Sequence, residues 1–387
     1  MSLPGHCGSP PVSRPAESLR PTASLRLGSG SGSRSGSGSG SGVSVPLPTM
    51  PKNPFSLVDL QARKVSYLRV SVTDRCNYRC SYCMPEAGVE VVPRDDLLTF
   101  AEIERLVRIF VSLGVRKVRL TGGEPLVRKD LVDLVQRLAR IDGVQDLALT
   151  TNGHLLAPLA KPLRDAGLHR LNVSLDTLDP VRFAHVTRRG SLDAVLAGLQ
   201  AAADAGFRNT KINAVMLRGL NDDEVGALCD FAGVGGHILR YIEYMPIGVD
   251  AFWGPETYLP AASIREKLGQ THDLVPDPGH PHPGGGPAVY WTARPRHGGG
   301  PTVPVGFIAA VSEKFCALCN RIRLSPTGTL RECLSTAGTL SLRDRLRAGQ
   351  DDAALADAIT ASMQGKVDGH RFEQAVTTYE SMSAIGG

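Results

Sequence analysis

Six of the eight cysteines fall in two tight groups, Cys76, Cys80 and Cys83 and then Cys316, Cys319 and Cys333. The first group has C-x3-C-x2-C spacing in a short turn-rich stretch, Asp74 to Met84, that follows the strand-like run Leu68 to Val72. Thiolates are the preferred ligands of iron–sulfur clusters, and three of them hold three corners of a cube. The fourth iron then stays open and can chelate a small molecule. Zinc is the simpler alternative, but a structural zinc site closes with four ligands, and this spacing lacks the paired C-x2-C of a zinc ribbon. The second group, C-x2-C-x13-C, is again three thiolates without a fourth. It fits either a second cluster with an iron open to a substrate or a zinc site beside a solvated arginine face. Cys7 and Cys229 stand alone. This is metal spacing rather than a secreted disulfide framework, and it argues for a reducing compartment.

Basic residues supply the second chemical signal. Arg321, Arg323 and Ser325 alternate directly after Cys319 and Asn320, so they share one face of a strand. Two guanidiniums side by side suit an anionic substrate such as a phosphate chain. Arg69, Lys117, Arg119, Lys211 and Arg240 also lie on strand-like runs. Alternation alone would turn some of them outward, but as a set inside a barrel their charge is costly without an anionic partner.

The elements that must position these residues repeat from residue 64 to 244: a β-branched apolar strand, a loop, an amphipathic helix, and a glycine before the next strand. Strands are predicted at 65–72, 116–121, 146–151, 170–175, 211–217 and 238–243, with helices at 100–113, 129–141 and 192–205 between them. Gly114, Gly143, Gly167 and Gly206 stand where helix C-caps turn the chain back. The expectation is an α/β fold, a partial (β/α)6 TIM-like barrel with right-handed crossovers and a C-terminal second-cluster domain. Chemistry in such barrels gathers at strand C-terminal ends, where the first cysteine loop lies. Thr121-Gly122-Gly123-Glu124-Pro125 sits at the next such end, its glycines allowing close backbone approach and unusual dihedrals. Ser174 and Asp176 end the fourth strand and Met245 follows the sixth; taken singly they read as a loop serine, a helix-capping aspartate and a packing methionine.

Three segments are expected: a disordered leader at 1–50, the barrel at 51–250, and a C-terminal domain at 251–387. Gly28 to Gly42 is Ser and Gly throughout except Arg34, so the leader cannot bury apolar surface; a transit peptide is the alternative, and Met50 could be the true start. Residues 246–304 read as a Pro/Gly-rich crossing loop with one short helix at 260–268, and His280, His282 and His297 within it fit no metal spacing. A hairpin turn is expected at Pro326-Thr327-Gly328. The formal net charge is +5, of which the first fifty residues carry +3. A near-neutral folded part gives no footprint of nucleic-acid binding. No run of eighteen apolar residues is present, which argues against a membrane span.

The cluster loop, with Tyr82 before its last cysteine, followed by Gly-Gly-Glu-Pro, resembles radical S-adenosylmethionine enzymes. Adding the second triad, the Asn320-Arg321-Ile322-Arg323 that follows it, Thr150-Thr151-Asn152-Gly153, Arg240 to Pro246, and a chain that closes on Gly386-Gly387, the sequence from about residue 55 onward resembles the GTP 3',8-cyclase family of molybdenum cofactor biosynthesis. That resemblance implies two [4Fe-4S] clusters, on Cys76, Cys80, Cys83 and on Cys316, Cys319, Cys333. It implies Tyr82, Gly123, Ser174 and Met245 around S-adenosylmethionine. It implies Arg69, Lys117, Arg119, Thr150, Lys211, Arg240, Arg321, Ile322 and Arg323 around GTP, with Arg69, Arg321, Arg323 and the tail Gly386 and Gly387 in catalysis. The implied reaction removes hydrogen from ribose C3' with a 5'-deoxyadenosyl radical and joins C3' to guanine C8. Implied partners are a flavodoxin- or ferredoxin-type electron donor and a downstream cyclic pyranopterin monophosphate synthase, with a homodimer possible, no nucleic acid, and a cytoplasmic location unless the leader directs the chain to the mitochondrial matrix. The rivals are a peptide-modifying radical enzyme with an auxiliary cluster, which has no reason to carry N-R-x-R or the Gly-Gly end, and a non-catalytic zinc module.

Overall fold

The computed structural model describes residues 57–247, 252–279, 286–372 and 382. The leader, His280, His282, Gly386 and Gly387 lie outside the described residues. The six expected strands all form: β1 (Tyr67–Ser71), β2 (Lys117–Thr121), β3 (Asp146–Thr151), β4 (Arg170–Ser174), β5 (Lys211–Met216) and β6 (Ile238–Glu243). Between them run α1 (Phe100–Ser112), α2 (Leu131–Ala139), α3 (Leu156–Asp165), α4 (Pro180–Thr187), α5 (Leu192–Asp204) and α6 (Val225–Val234).

Local sequence explains these elements. In α1, Thr99 accepts from Glu102 N at 3.2 Å while the Glu102 carboxylate accepts from Thr99 N at 2.7 Å, a reciprocal capping box. Its Ile103, Leu106, Val107 and Phe110 then form one buried stripe. Gly114, Gly143, Gly167 and Gly206 all take positive φ, between 85° and 99°, which lets each helix turn directly into the following strand. The strands bury Val70, Val118, Leu120, Leu149, Val173 and Ile212 against these helices, forming the main core.

The sheet goes further than six strands. After α7 (Ala261–Gly269) come β7 (His272–Pro276), β8 (Val289–Pro295), β9 (Val303–Ile308), β10 (Arg321–Leu324), β11 (Thr329–Arg331) and β12 (Leu340–Ser341), and then α8 (Leu342–Arg347) and α9 (Asp352–Ser362). The order is β12-β11-β10-β1-β2-β3-β4-β5-β6-β9-β8-β7 among the described residues. Strands β10 and β9 pair in parallel with β1 and β6, so a barrel of six parallel strands gains one at each edge. One sheet therefore carries strands from both sides of residue 250.

The crossing loop expected at 246–304 is corrected: it contains the antiparallel pair β7–β8 and the start of β9. The alternation there is weak because β7 buries only His272, and β8 interrupts its buried Tyr290 and Ala293 with Trp291 and Thr292. His297 lies exposed in the turn between β8 and β9. The expected hairpin after β10 forms, with Arg323 opposite Arg331 and Gly328 at φ +80°.

Candidate active site

Strand β1 has a neighbour on each side whose register decides the site. Arg69 lies beside Arg119 of β2 and Arg323 of β10, and Tyr67 lies beside Lys117 and Arg321. Because strand residues alternate, Arg69, Arg119, Arg321 and Arg323 all face inward. They line one cavity of about 340 Å³, together with Arg240 of β6 and all six clustered cysteines.

The two triads stand at opposite ends of that cavity. Cys76, Cys80 and Cys83 follow the C-terminal end of β1. Cys316 and Cys319 precede the N-terminal end of β10, which is parallel to β1, and Cys333 follows β11, which returns antiparallel to the same end. The five residues of β1 between these levels span about 13 Å at about 3.3 Å per residue.

The first triad's loop is zipped to the Gly-Gly-Glu-Pro turn. Gly123 N donates to Thr73 O and Glu124 N to Arg75 O, both at 2.8 Å. A Cβ on Gly122 would lie 2.7 Å from Thr73 O, and one on Gly123 would run into the Arg75 carbonyl. These glycines are therefore required for space, and neither takes the positive φ that the expectation of unusual dihedrals suggests. Two buried carboxylates complete the rim. Glu124 accepts from Thr151 Oγ1 at 2.7 Å and Asn152 N at 2.6 Å, joining the ends of β2 and β3. Asp176 accepts from the Tyr82 hydroxyl at 2.5 Å and from Val215 N at 2.8 Å, joining the cysteine loop to β5. Asp176 is thus a tether between loops rather than the helix cap its sequence suggests. Burial pushes the Glu124 carboxyl up to about 7 and that of Asp176 up to about 6.

Burial also pushes the Cys76 thiol up to about 11 and, with Cys76 and Asp176 adding to it, the Cys83 thiol up to about 12. Cys80 is raised by burial and by Cys83, Asp176 and Cys76. In the second triad burial raises Cys316, whereas Arg321 and Lys366 overcome burial at Cys319 and lower it. Each donor set fits an iron–sulfur cluster: three thiols line one cavity, from one loop in the first triad and from both ends of the β10–β11 hairpin in the second, and thiolate is what such clusters take.

The wall between the triads is strongly basic. Burial lowers Arg69, with Arg323 next among the causes; Arg240 and Arg323 are each pushed down to about 10 by burial first and then by a neighbouring arginine. Burial would raise the Tyr67 phenol, yet Arg119, Arg69, Arg321 and Arg240 together pull it down. Arg240 is steered by Asn213, whose Oδ1 accepts from its Nε at 2.9 Å, and by Asn172. Arg119 holds a buried Nε without a hydrogen-bond partner and stacks its guanidinium 5.5 Å from the Tyr67 ring centre. A concave basic surface of this kind selects a polyanion.

Tyr82, Gly123, Thr150, Ser174 and Met245 line the same cavity. Three expected GTP residues do not. Ile322 is turned the opposite way and is fully buried in the hydrophobic core, so its side chain is corrected from ligand contact to packing. Lys117 is half-buried beyond the lining, one strand level below Arg119. Lys211 is 1% exposed, behind the wall, where burial, Arg240, Arg170 and Arg119 push its amine down to about 6. Lys366 and Arg63 carry no sequence signal, and Glu124 only that of the Gly-Gly-Glu-Pro motif; Arg63 donates to the Cys316 carbonyl at 2.9 Å.

Residues 70–232 match the Radical SAM superfamily and residues 237–372 match Molybdenum Cofactor Synthesis C. The chain is 46% identical over 333 residues to GTP 3',8-cyclase 1 of Pseudomonas aeruginosa, covering 85% of this chain and 99% of that protein. It is 44% identical to GTP 3',8-cyclase of Pelotomaculum thermopropionicum, over 85% of this chain and 99% of the relative. The Streptococcus suis SuiB structure bound to S-adenosylmethionine shares the fold, with a TM-score of 0.51 over 83% of this chain and 77% of that one at 15% identity.

Proposed function

The chain belongs to the GTP 3',8-cyclase family of radical S-adenosylmethionine enzymes, and on that premise we propose how its own residues divide the reaction between the two ends of the cavity. The enzyme is a lyase of molybdenum cofactor biosynthesis that acts on GTP with S-adenosylmethionine and a [4Fe-4S] cluster. The cluster and S-adenosylmethionine, when bound, supply the radical that initiates C3'–C8 bond formation.

The first cluster is assigned to Cys76, Cys80 and Cys83, and a second [4Fe-4S] cluster to Cys316, Cys319 and Cys333. Tyr82, Gly123, Ser174 and Met245 surround S-adenosylmethionine at the first end. Gly123 offers bare backbone there, and the Asp176 tether fixes Tyr82. Arg69, Arg119, Arg240, Arg321 and Arg323 take the triphosphate, with Thr150 on the same wall, Lys117 adding charge from behind it and Lys211 gaining its charge there as the triphosphate binds. Their work is to orient the ribose toward the first end and the base toward the second, and to exclude water. The observation that supports this reading is the shared cavity: both triads and five inward arginines line one space. The chain is divided into the barrel, 51–250, and the second-cluster segment, 251–387. A flavodoxin- or ferredoxin-type donor and a downstream synthase complete the scheme, in the cytoplasm, and the enzyme has no use for nucleic acid. Among the described residues no helix is long and apolar enough to cross a membrane.

The test is anaerobic reconstitution followed by incubation with GTP, S-adenosylmethionine and a strong reductant. Appearance of both 5'-deoxyadenosine and a cyclised GTP derivative supports the assignment. 5'-Deoxyadenosine without change in GTP would sink the substrate assignment.

A further inference from the structure

We propose that Lys366 is a positioning residue for the second triad, its ammonium group directed at the Cys319 sulfur so that it sets how readily the cluster held there accepts an electron. The inference rests on reading Cys316, Cys319 and Cys333 as cluster ligands.

Lys366 is 3% exposed, and its Nζ has three acceptors for its three N–H bonds. Arg321 O lies at 3.0 Å, Glu332 O is in close contact, and Cys319 Sγ lies at 3.7 Å. Each carbonyl belongs to a residue adjacent in function to the triad: Arg321 follows Cys319 by two, and Glu332 precedes Cys333. One ammonium group therefore ties together both chain segments that carry the second set of ligands and points its remaining hydrogen at a sulfur.

The lysine is held from behind. Helix α9 ends in a single tight turn, Met363–Gly365, anchored by the fully buried Met363. Beyond it, Arg63 donates to Val367 O at 2.6 Å, to Asp368 O at 2.9 Å and to Cys316 O at 2.9 Å, while Asp59 holds its Nε at 2.6 Å. Segment 366–370 is thus clamped against the cysteine loop, and a Cβ on Gly369 would reach the Cys316 sulfur at 3.7 Å. The backbone that carries Lys366 is therefore fixed beside the triad.

A buried ammonium group needs negative charge nearby. The groups within its reach are the Glu332 carboxyl and the Cys319 thiolate. Hydrogen bonds and positive charge at ligating sulfurs stabilise the more negative, reduced state of an iron–sulfur cluster and raise its potential. The Ser335 hydroxyl, 3.3 Å from Cys333 Sγ, offers a neutral counterpart on the third ligand.

The test uses the full chain with Cys76, Cys80 and Cys83 all changed to Ala, so that only the second triad holds iron. In this background Lys366 is compared with Lys366→Arg, Lys366→Gln and Lys366→Met by iron analysis, redox titration and electron paramagnetic resonance of the reduced cluster. The expected result is about four irons per chain, a midpoint shifted to more negative potential with altered g values in the Gln variant, and wild-type behaviour in the Arg variant. If Met does not fold, Gln against Arg still separates charge from hydrogen bonding. A Gln variant that keeps its iron, midpoint and spectrum overturns the proposal. Absence of iron in the background chain itself would instead overturn the second-cluster reading.

Discussion

The two cysteine triads line one cavity yet are built in opposite ways. The first comes from one loop of eight residues, and burial and its buried neighbours Asp176 and Glu124 raise its thiols, against which Arg79 acts on Cys76. The second is assembled from the approach to β10 and the exit of β11, and cations surround it: Arg321, Lys366 and Arg63. Acidic surroundings disfavour adding an electron and basic surroundings favour it. The difference matches the proposed division of labour, in which the first end passes its electron on to start the radical chemistry and the second end receives the base of the substrate.

The sharpest way to break the comparison is to remove one triad at a time. Alanine at Cys76, Cys80 and Cys83 should abolish 5'-deoxyadenosine formation. Alanine at Cys316, Cys319 and Cys333 should leave that formation measurable and abolish only the cyclised product. Chromatography of both products decides it, and equal loss of 5'-deoxyadenosine from either set would collapse the division.

Next in size is Asp59→Asn, which leaves the Arg63 guanidinium buried without its carboxylate. Breaking a buried pair costs about 3–5 kcal/mol. We expect a lower Tm and selective loss of iron from the second triad, read by thermal melting and iron analysis. Retention of full iron would show that the clamp is not what holds that end.

Arg323→Ala removes one charge-assisted contact to the triphosphate, about 2 kcal/mol or about thirty-fold in GTP affinity. S-Adenosylmethionine binding should not change. Equilibrium dialysis of both ligands tests this, and an equal loss for the two would place Arg323 elsewhere in the reaction.

The smallest effect is a single proton. With its amine pushed down to about 6, Lys211 is largely neutral in the free enzyme at pH 8. A bound triphosphate restores the pKa toward the ordinary lysine value, so GTP binding takes up a proton above about pH 6 and none below it. The sign for stability follows: the unfolded chain binds more protons in this window, so the unliganded fold loses stability as pH falls from 10.5 toward 6. Calorimetry of GTP binding in buffers of different ionisation enthalpy should show the uptake, and Lys211→Met should abolish it.

Much of this was legible in the sequence because it is local. The strands announce themselves by apolar runs, the helix ends by Gly114, Gly143, Gly167 and Gly206, and the first triad by spacing within one loop. Arg321 and Arg323 could be given a shared face from alternation, and the same alternation turns Ile322 into the core. What stayed hidden is long-range. Lys366 meets Cys319 across 47 positions and Arg63 meets Cys316 across 253. Neither lies in a motif, and a lone Lys or Arg looks like any solvated surface charge. Glu124 and Asp176 were visible only as a turn and a cap, since burial and the strand ends they join arise from tertiary packing. Strands β7 and β8 escaped because they bury too few side chains to impose an alternating pattern.

Strand β1 carries a further consequence. Both reactive ends are referenced to it, one through its C-terminal loop and one through its register with β10. The frame between them is therefore counted in residues, in steps of about 3.3 Å, and the finer spacing is left to the loops that carry the cysteines and to the length of side chains such as Arg69 and Arg323 along the wall.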